Sequence, residues 1–147
     1  MQPLKLVALD AEDLEIVSAH VQDAIVRIAD IDWRPAEQRL LMVVARFVWE
    51  GVRDRARTYE RRHAALQFSR VSAVRAHRIR RERPDAVLSL LSIAFEPGDA
   101  PAGTVRLVFS GGGEMALDVE CIEAKLGDLG SAWATQALPR HDANPEP

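Results

Sequence analysis

The sequence is poor in the features that carry covalent chemistry or mark export. It has a single cysteine, Cys121, among 147 residues, which excludes an internal disulfide and is typical of a reducing compartment. Residues 1–13 lack the basic and apolar regions of a secretory signal peptide. Arg46 interrupts the longest apolar stretch, residues 40–49, which excludes a membrane-spanning run of about 18 residues. We therefore expect a soluble cytoplasmic protein with one globular domain, residues 1–133, and a flexible tail, residues 134–147.

Catalytic and cofactor motifs are also missing. None of the four histidines stands three to five residues from another histidine or from Cys121, so no local pair of metal ligands exists. The glycine cluster at 111–113 precedes Glu114 and an alternating segment, whereas a phosphate-binding loop would continue with Lys-Ser or Lys-Thr. No G-x-S-x-G elbow occurs. These absences predict no catalytic residue, no cofactor and no metal, and a protein that is not an enzyme.

Cys121 and the tryptophans favour structural roles. Cys121 extends an apolar alternation that begins at Met115, which predicts a buried small hydrophobe and not a reactive thiol. Trp33, Trp49 and Trp133 lie near the ends of expected elements. Lids over a core are the favoured interpretation, and an exposed binding groove is the alternative.

The clearest structural signal lies between residues 86 and 129. Apolar residues alternate over 104–110 and again over 114–121, and the glycines between them suit a tight turn, so this segment predicts a β-hairpin. The nearly continuous apolar run Val87–Phe95 predicts a strand covered on both faces. Ile122, Leu126 and Leu129 are spaced as one stripe of a short C-terminal helix that ends at Gly130.

The remaining elements follow the same rules. Asp10 is a predicted N-cap for a helix over about 11–21, because Glu12 and Asp13 suit the first turn. Residues 51–62 predict a long exposed loop. Residues 64–68 and 71–79 predict two strands, or one strand bent near Ser69-Arg70. Further strands are expected at 4–9, 24–33 and 40–50.

These elements indicate an α+β fold that is mostly antiparallel sheet. About seven strands are expected, as a curled sheet or a pleckstrin-homology-like barrel, with an N-terminal helix and a C-terminal closing helix. The likeness to pleckstrin-homology-like domains rests on element order alone. The main alternative is a plain α+β sheet with both helices on one face.

Four segments carry a resemblance to a known family. They are LKLVALDAEDL, QDAIVRI, RRHAALQFSRV and the long stretch from Ala86 to Gly130. Over residues 4–133 they resemble a family of small uncharacterised alphaproteobacterial proteins, catalogued as a domain of unknown function. The resemblance implies a bacterial, cytosolic, single-domain protein. It transfers no functional residue, because the family has no known activity.

Charge is the one compositional feature that suggests a function. Residues 53–83 contain 11 arginines and three acidic residues, a net charge of +8, while the whole chain is −3, which leaves −11 for the remainder. Arginine presents a planar fork that suits carboxylates and phosphates. The predicted anion- or partner-binding residues are Arg53, Arg55, Arg57, Arg61, Arg62, Arg75, Arg78, Arg80 and Arg81.

Several functions are compatible with this patch. The first hypothesis is a non-enzymatic binding or adaptor module that recognises an acidic protein partner. A nucleic-acid binder is the second, although Tyr59 and Phe68 are the only aromatic residues in the block and stacking usually needs more. A small enzyme with a dispersed site at the barrel mouth is the third. An anionic lipid surface, and pairing with the acidic remainder of the same chain or of a homodimer mate, also stay open.

Overall fold

The computed structural model of the protein describes residues 3–48 and 59–135, and for residues 59 and 131–135 only the backbone is described. Within these ranges the chain forms one α-helix and ten strands. In chain order they are β1 Lys5–Ala8, α1 Ala11–His20, β2 Ala24–Arg27, β3 Ile31–Arg34, β4 Arg39–Phe47, β5 Tyr59–Phe68, β6 Val71–His77, β7 Val87–Pro97, β8 Gly103–Phe109, β9 Glu114–Val119 and β10 Ala124–Thr135.

The strands form one open antiparallel sheet. Its hydrogen-bonded order is β1-β10-β5-β4-β2-β7-β8-β9-β6. β4 pairs with β3 over residues 39–42 and with β2 at Ala45. The expectation of a mostly antiparallel sheet with an N-terminal helix is confirmed. The expectation of about seven strands in a pleckstrin-homology-like barrel with a C-terminal helix is wrong, and so is the alternative with two helices on one face.

The segment expected to form the closing helix is strand β10. Ala124 and Leu126 are buried while Lys125 between them is exposed, which is the period of a strand. The next inward position is Asp128, whose side chain is only 1% exposed, and the outward Leu129 is 45% exposed. A carboxylate at an inward position hides the alternation, and the spacing of Ile122, Leu126 and Leu129 then imitates a helix.

The N-terminal helix begins and packs as its sequence predicts. The Asp10 carboxylate accepts a hydrogen bond from the Asp13 amide at 2.7 Å and caps the helix. Leu14 and Val17 are buried. Ser18 Oγ accepts a hydrogen bond from the Ile93 amide at 2.9 Å, which joins α1 to β7.

The hairpin prediction is confirmed. β8 and β9 are joined by a 3₁₀ turn over residues 110–112, in which Gly111 and Gly112 have φ angles of 79° and 86°. Glycine tolerates this left-handed region without a steric cost. Cys121 lies beyond the end of β9 and is partly exposed, so it does not continue the buried face of the strand.

Three other predictions change in detail. The expected strand over 24–33 is interrupted by a 3₁₀ turn at Ile28–Asp30. β7 is not covered on both faces, because Leu91 is 41% exposed. The expected loop over 51–62 gives way to strand β5 from Tyr59 onward, while residues 51–58 lie outside the described residues.

A sharp corner joins the part of the sheet that contains β4, β5 and β10 to the β7–β8–β9–β6 part. β5 and β6 are separated only by Ser69 and Arg70, and Arg70 has a φ angle of 61°. Of the two alternatives predicted for residues 64–79, the one with two strands is confirmed, and the break lies at Ser69 and Arg70. The inward faces of both parts meet in one apolar core, to which α1 contributes as well. Its largest apolar members include Leu14, Leu40, Met42, Leu66, Phe68, Leu90, Leu107, Phe109 and Leu117.

Gly103 at the start of β8 offers a test of this packing. A Cβ at this position would lie 2.5 Å from the Glu96 carbonyl oxygen and 2.5 Å from the Phe95 ring. We expect Gly103→Ala to lower the free energy of unfolding by about 1–3 kcal/mol, because the neighbouring strand must move to relieve the contact.

The matched control is Gly127→Ala in β10, where a Cβ would meet no atom within 4 Å. This variant should be neutral or slightly more stable than the wild type, since alanine restricts the unfolded chain. Urea unfolding followed by circular dichroism measures both. Equal stability of the two variants would contradict the packing described for Gly103.

Candidate functional site

The predicted arginine block divides into groups with different surroundings. Arg53, Arg55 and Arg57 lie outside the described residues. Arg61 and Arg62 are buried, with 0% and 7% exposure. Arg75 is exposed on β6, and Arg78, Arg80 and Arg81 are exposed in the connection that follows β6. The block is thus not one continuous surface.

Arg62 belongs to a buried ionic cluster at one end of the core. Arg46 of β4, Arg62 of β5 and Asp128 of β10 each continue the inward face of their strand, and the strands are neighbours in the sheet. Arg46 donates two hydrogen bonds to Asp128, from Nε at 2.7 Å and from Nη2 at 3.0 Å. Arg62 Nη1 lies 4.0 Å from the same carboxylate. The Leu4 amide donates to it at 2.8 Å.

This environment keeps Asp128 ionised. Burial raises the pKa of the carboxyl, but the hydrogen bonds from Arg46 and from the Leu4 amide lower it, and so do the charges of Arg46 and Arg62. The net result is a pKa below the ordinary value of 3.8. The cluster is an ion pair in a largely water-free position, and it is structural in character.

Arg61 lies on the opposite face of β5 and is also structural. Its Nη1 donates a hydrogen bond to the Ala45 carbonyl at 3.1 Å. Its guanidinium carbon lies 5.9 Å from the centroid of the Phe47 ring, within the range of a cation–π contact. Arg61 and Arg62 therefore stabilise the sheet and are not available to an external partner.

The outer face of the β7–β8–β9–β6 part carries a ladder of exposed ion pairs. Arg75 contacts Asp118 at 2.6 Å, and Thr104 Oγ1 donates to the same carboxylate oxygen at 3.1 Å. Arg106 contacts Glu96 at 2.7 Å and also Glu114. The hydrogen bond from Arg106 lowers the pKa of the Glu96 carboxyl. Arg75 thus already has a carboxylate partner within the chain.

The arginine loop, defined here as residues 78–86, is different. Its four arginines are all exposed, and none of them forms a salt bridge in the described part of the chain. They are Arg78, Arg80, Arg81 and Arg83. Glu82 and Asp85 are exposed in the same loop, which leaves it a net charge of +2.

An apolar cavity of about 270 Å³ lies beside the arginine loop. Residues of β3, β6 and β9 line it together with Arg81 of the loop. The principal lining side chains are Ile31, Trp33, Val74, Ala76 and Met115. Trp33 is half-buried here, so it is a wall of a cavity as well as a cover for the core.

Backbone hydrogen bonds close the space between β3 and β6 at both ends. At one end the Val71 amide donates to the Gln38 carbonyl at 2.9 Å. At the other end the Ala29 amide donates to the Pro84 carbonyl, also at 2.9 Å. We call the space between these two points the β3–β6 cleft. It places an apolar cavity and the arginine loop side by side.

Only part of this site can be recognised from the sequence. High arginine content marks the loop, but nothing in the sequence separates the exposed arginines from those that are buried or paired. It also does not identify Arg46 and Asp128 as an ionic site. Their one signal is position, because each stands at the inward end of a buried alternation.

The described residues contain neither a metal-binding cluster nor a membrane-crossing helix. No group of three histidine, cysteine, aspartate or glutamate side chains in residues 3–48 and 59–135 is placed to hold a metal ion. Over the same ranges, no helix combines the length and apolar character that crossing a membrane requires.

Comparison with known proteins identifies a family but no activity. The profile of a family described as "Protein of unknown function (DUF2948)" matches residues 4–141. No curated protein and no solved structure matches the chain.

The buried ion pair leads to a stability prediction. Asp128→Asn keeps the shape of the side chain but removes the charge that compensates Arg46 and Arg62. We expect it to lower the free energy of unfolding by about 3–5 kcal/mol, the usual cost of removing one member of a buried pair. Asp118→Asn, at an exposed pair, is the control and should cost less than about 1 kcal/mol. Similar losses in the two variants, measured by urea unfolding at pH 7, would contradict the buried role of Asp128.

The Asp128 carboxylate also predicts how the stability of the fold depends on pH. Because the pKa of Asp128 is lower in the folded than in the unfolded protein, its contribution to stability is complete above the unfolded pKa. It is lost as pH falls through the folded pKa. The stability difference between wild type and Asp128→Asn should therefore shrink as pH falls below about 4. Urea unfolding of both proteins between pH 7 and the lowest pH at which they fold measures it, and a difference independent of pH would refute this assignment.

Proposed function

The chain belongs to the DUF2948 family of proteins of unknown function, and we propose that it is a non-enzymatic binding or adaptor module that recognises an acidic protein partner. The arginine loop is the surface we assign to this partner. We place the activity in the bacterial cytoplasm, in the alphaproteobacterial setting that the resemblance of the sequence implies.

The observation that carries the proposal is a contrast between arginines. Among exposed or half-exposed arginines of the described residues, all those outside the loop contact a carboxylate of the same chain. They are Arg27, Arg34, Arg39, Arg70, Arg75 and Arg106. The four arginines of the loop form no salt bridge within the described part of the chain. The chain thus provides carboxylates for its other surface arginines but not for these.

Such arginines are suited to a carboxylate partner. The guanidinium group is weakly hydrated and binds a carboxylate through two parallel hydrogen bonds, which adds geometry to charge. A cluster of like charges also steers an acidic partner during diffusional encounter. The chain as a whole is acidic, so this attraction is local to the loop and orients the partner toward it.

A matched pair of triple variants tests the proposal. Arg78→Gln, Arg80→Gln and Arg81→Gln together remove three loop charges. Lys5→Gln, Arg106→Gln and Lys125→Gln together remove the same net charge from β1, β8 and β10, which do not border the arginine loop or the cleft. In affinity capture from bacterial lysate, we expect wild type and the second triple variant to retain a protein that the first triple variant loses.

Nuclease treatment and a salt gradient distinguish the alternative partner class. Capture of an acidic protein should persist after nuclease treatment. Capture that disappears with nuclease, and that falls steeply with the logarithm of salt concentration, would favour nucleic acid and contradict the proposal. Equal capture by both triple variants would contradict any role for the arginine loop.

A further inference from the structure

In the described residues, the two strands that border the β3–β6 cleft each have one edge without a strand partner, and the Val71 amide at the start of β6 is the one group there already bonded, to the Gln38 carbonyl. Within residues 3–48 and 59–135, β3 pairs only with β4, and β6 pairs only with β9. In an antiparallel ladder alternate backbone groups point away from the partner strand. The unpaired edges of β3 and β6 therefore present N–H and C=O groups on both sides of the cleft.

The cavity at the base of the cleft suits one large apolar side chain. Its volume of about 270 Å³ is large enough for one aromatic or long aliphatic side chain. Its walls are apolar except for Arg81, which provides a charged group at the same place. An apolar group bound there would have a cation next to it.

We propose that the β3–β6 cleft binds an extended acidic segment of the partner, with one large apolar side chain in the cavity and flanking carboxylates on the arginine loop. The backbone of the segment lies along the β6 edge between the two closing hydrogen bonds, residues 72–77, as in strand addition. This inference rests on the proposed function and specifies its ligand: an acidic peptide with an apolar anchor residue.

Three features of the cleft favour a peptide over a small apolar acid. Open strand edges bind another extended backbone, which a small acid does not have. The exposed arginines extend over residues 78–83, so they can contact several carboxylates along a chain. The two closing hydrogen bonds at Val71 and Ala29 hold the walls in place, which reduces the ordering that binding would require.

Selection from a phage-displayed library of random heptapeptides tests the ligand class without knowledge of the partner. The bait is the full chain, as wild type, as Ala76→Phe and as Ala19→Phe. Ala76 lines the cavity, so the phenyl ring of phenylalanine there occupies part of it and obstructs an incoming side chain. Ala19 is exposed on α1, away from the cleft, and receives the same change as a control. Val74→Phe is a second cavity-filling variant if Ala76→Phe does not fold, as judged by circular dichroism.

Wild type and Ala19→Phe should enrich peptides that combine acidic residues with a central large apolar residue. Ala76→Phe should lose the apolar preference and keep the acidic one. For one selected peptide, alanine at the anchor should weaken binding to wild type by roughly 10- to 100-fold, the value of one buried large apolar side chain. The same change should have a much smaller effect on binding to Ala76→Phe, because the introduced ring already obstructs the cavity.

The failures of the two proposals are distinguishable. Enrichment of acidic peptides without an apolar preference would overturn the cleft inference and leave the proposed function in place. Enrichment of apolar peptides without acidic residues would overturn the proposed function, and the inference with it. An apolar preference that survives in both cavity-filling variants would show that the anchor binds elsewhere and would overturn the inference. Absence of any enrichment with wild type would overturn it as well.

Discussion

The contact between Arg46 and Asp128 is the constraint on which the arrangement of the sheet depends. It joins β4 to β10 across β5, and the same carboxylate also binds the Leu4 amide just before β1. A slip of β10 by one residue would turn Asp128 to the outer face and leave the guanidinium of Arg46 without this buried carboxylate. The same slip would turn the buried Ala124 and Leu126 outward as well, so the ion pair and the apolar pattern favour the same register. Together they specify the register of four neighbouring strands.

A single strand, β4, connects the ion pair of Arg46 and Asp128 to the β3–β6 cleft. β4 holds Arg46 near its end and pairs with β3 at its beginning, where Leu40 lies opposite Trp33. One wall of the β3–β6 cleft is thus supported by the strand that carries the ionic cluster. The other wall, β6, continues from β5 through the corner at Arg70. Both walls originate from the same pair of central strands, so the cleft is part of the core architecture and not a separate loop feature.

Sequence reasoning succeeded where structure is determined locally. The Asp10 cap, the glycine turn and the bend after Phe68 depend on residues within a few positions of one another, and each has a recognisable chemistry. It failed at β10, because an inward carboxylate is intelligible only with its partner, and Arg46 is 82 positions away. The same holds for Arg75, which is 43 positions from Asp118. Composition locates positive charge, but only the fold decides which arginines are buried, paired or exposed, and no local pattern reveals the cleft between β3 and β6.

The open edges of β3 and β6 have a consequence for the protein in concentrated solution. An unpaired strand edge is a template for other copies of the chain as much as for a partner, which makes it a site of aggregation. Here the exposed arginines stand next to that template, so two identical copies that approach edge to edge bring like charges together. The surface that we assign to an acidic partner would then also keep the protein monodisperse while that partner is absent. This protection depends on ionic strength, since salt screens exposed charges over about 8–10 Å at physiological concentrations.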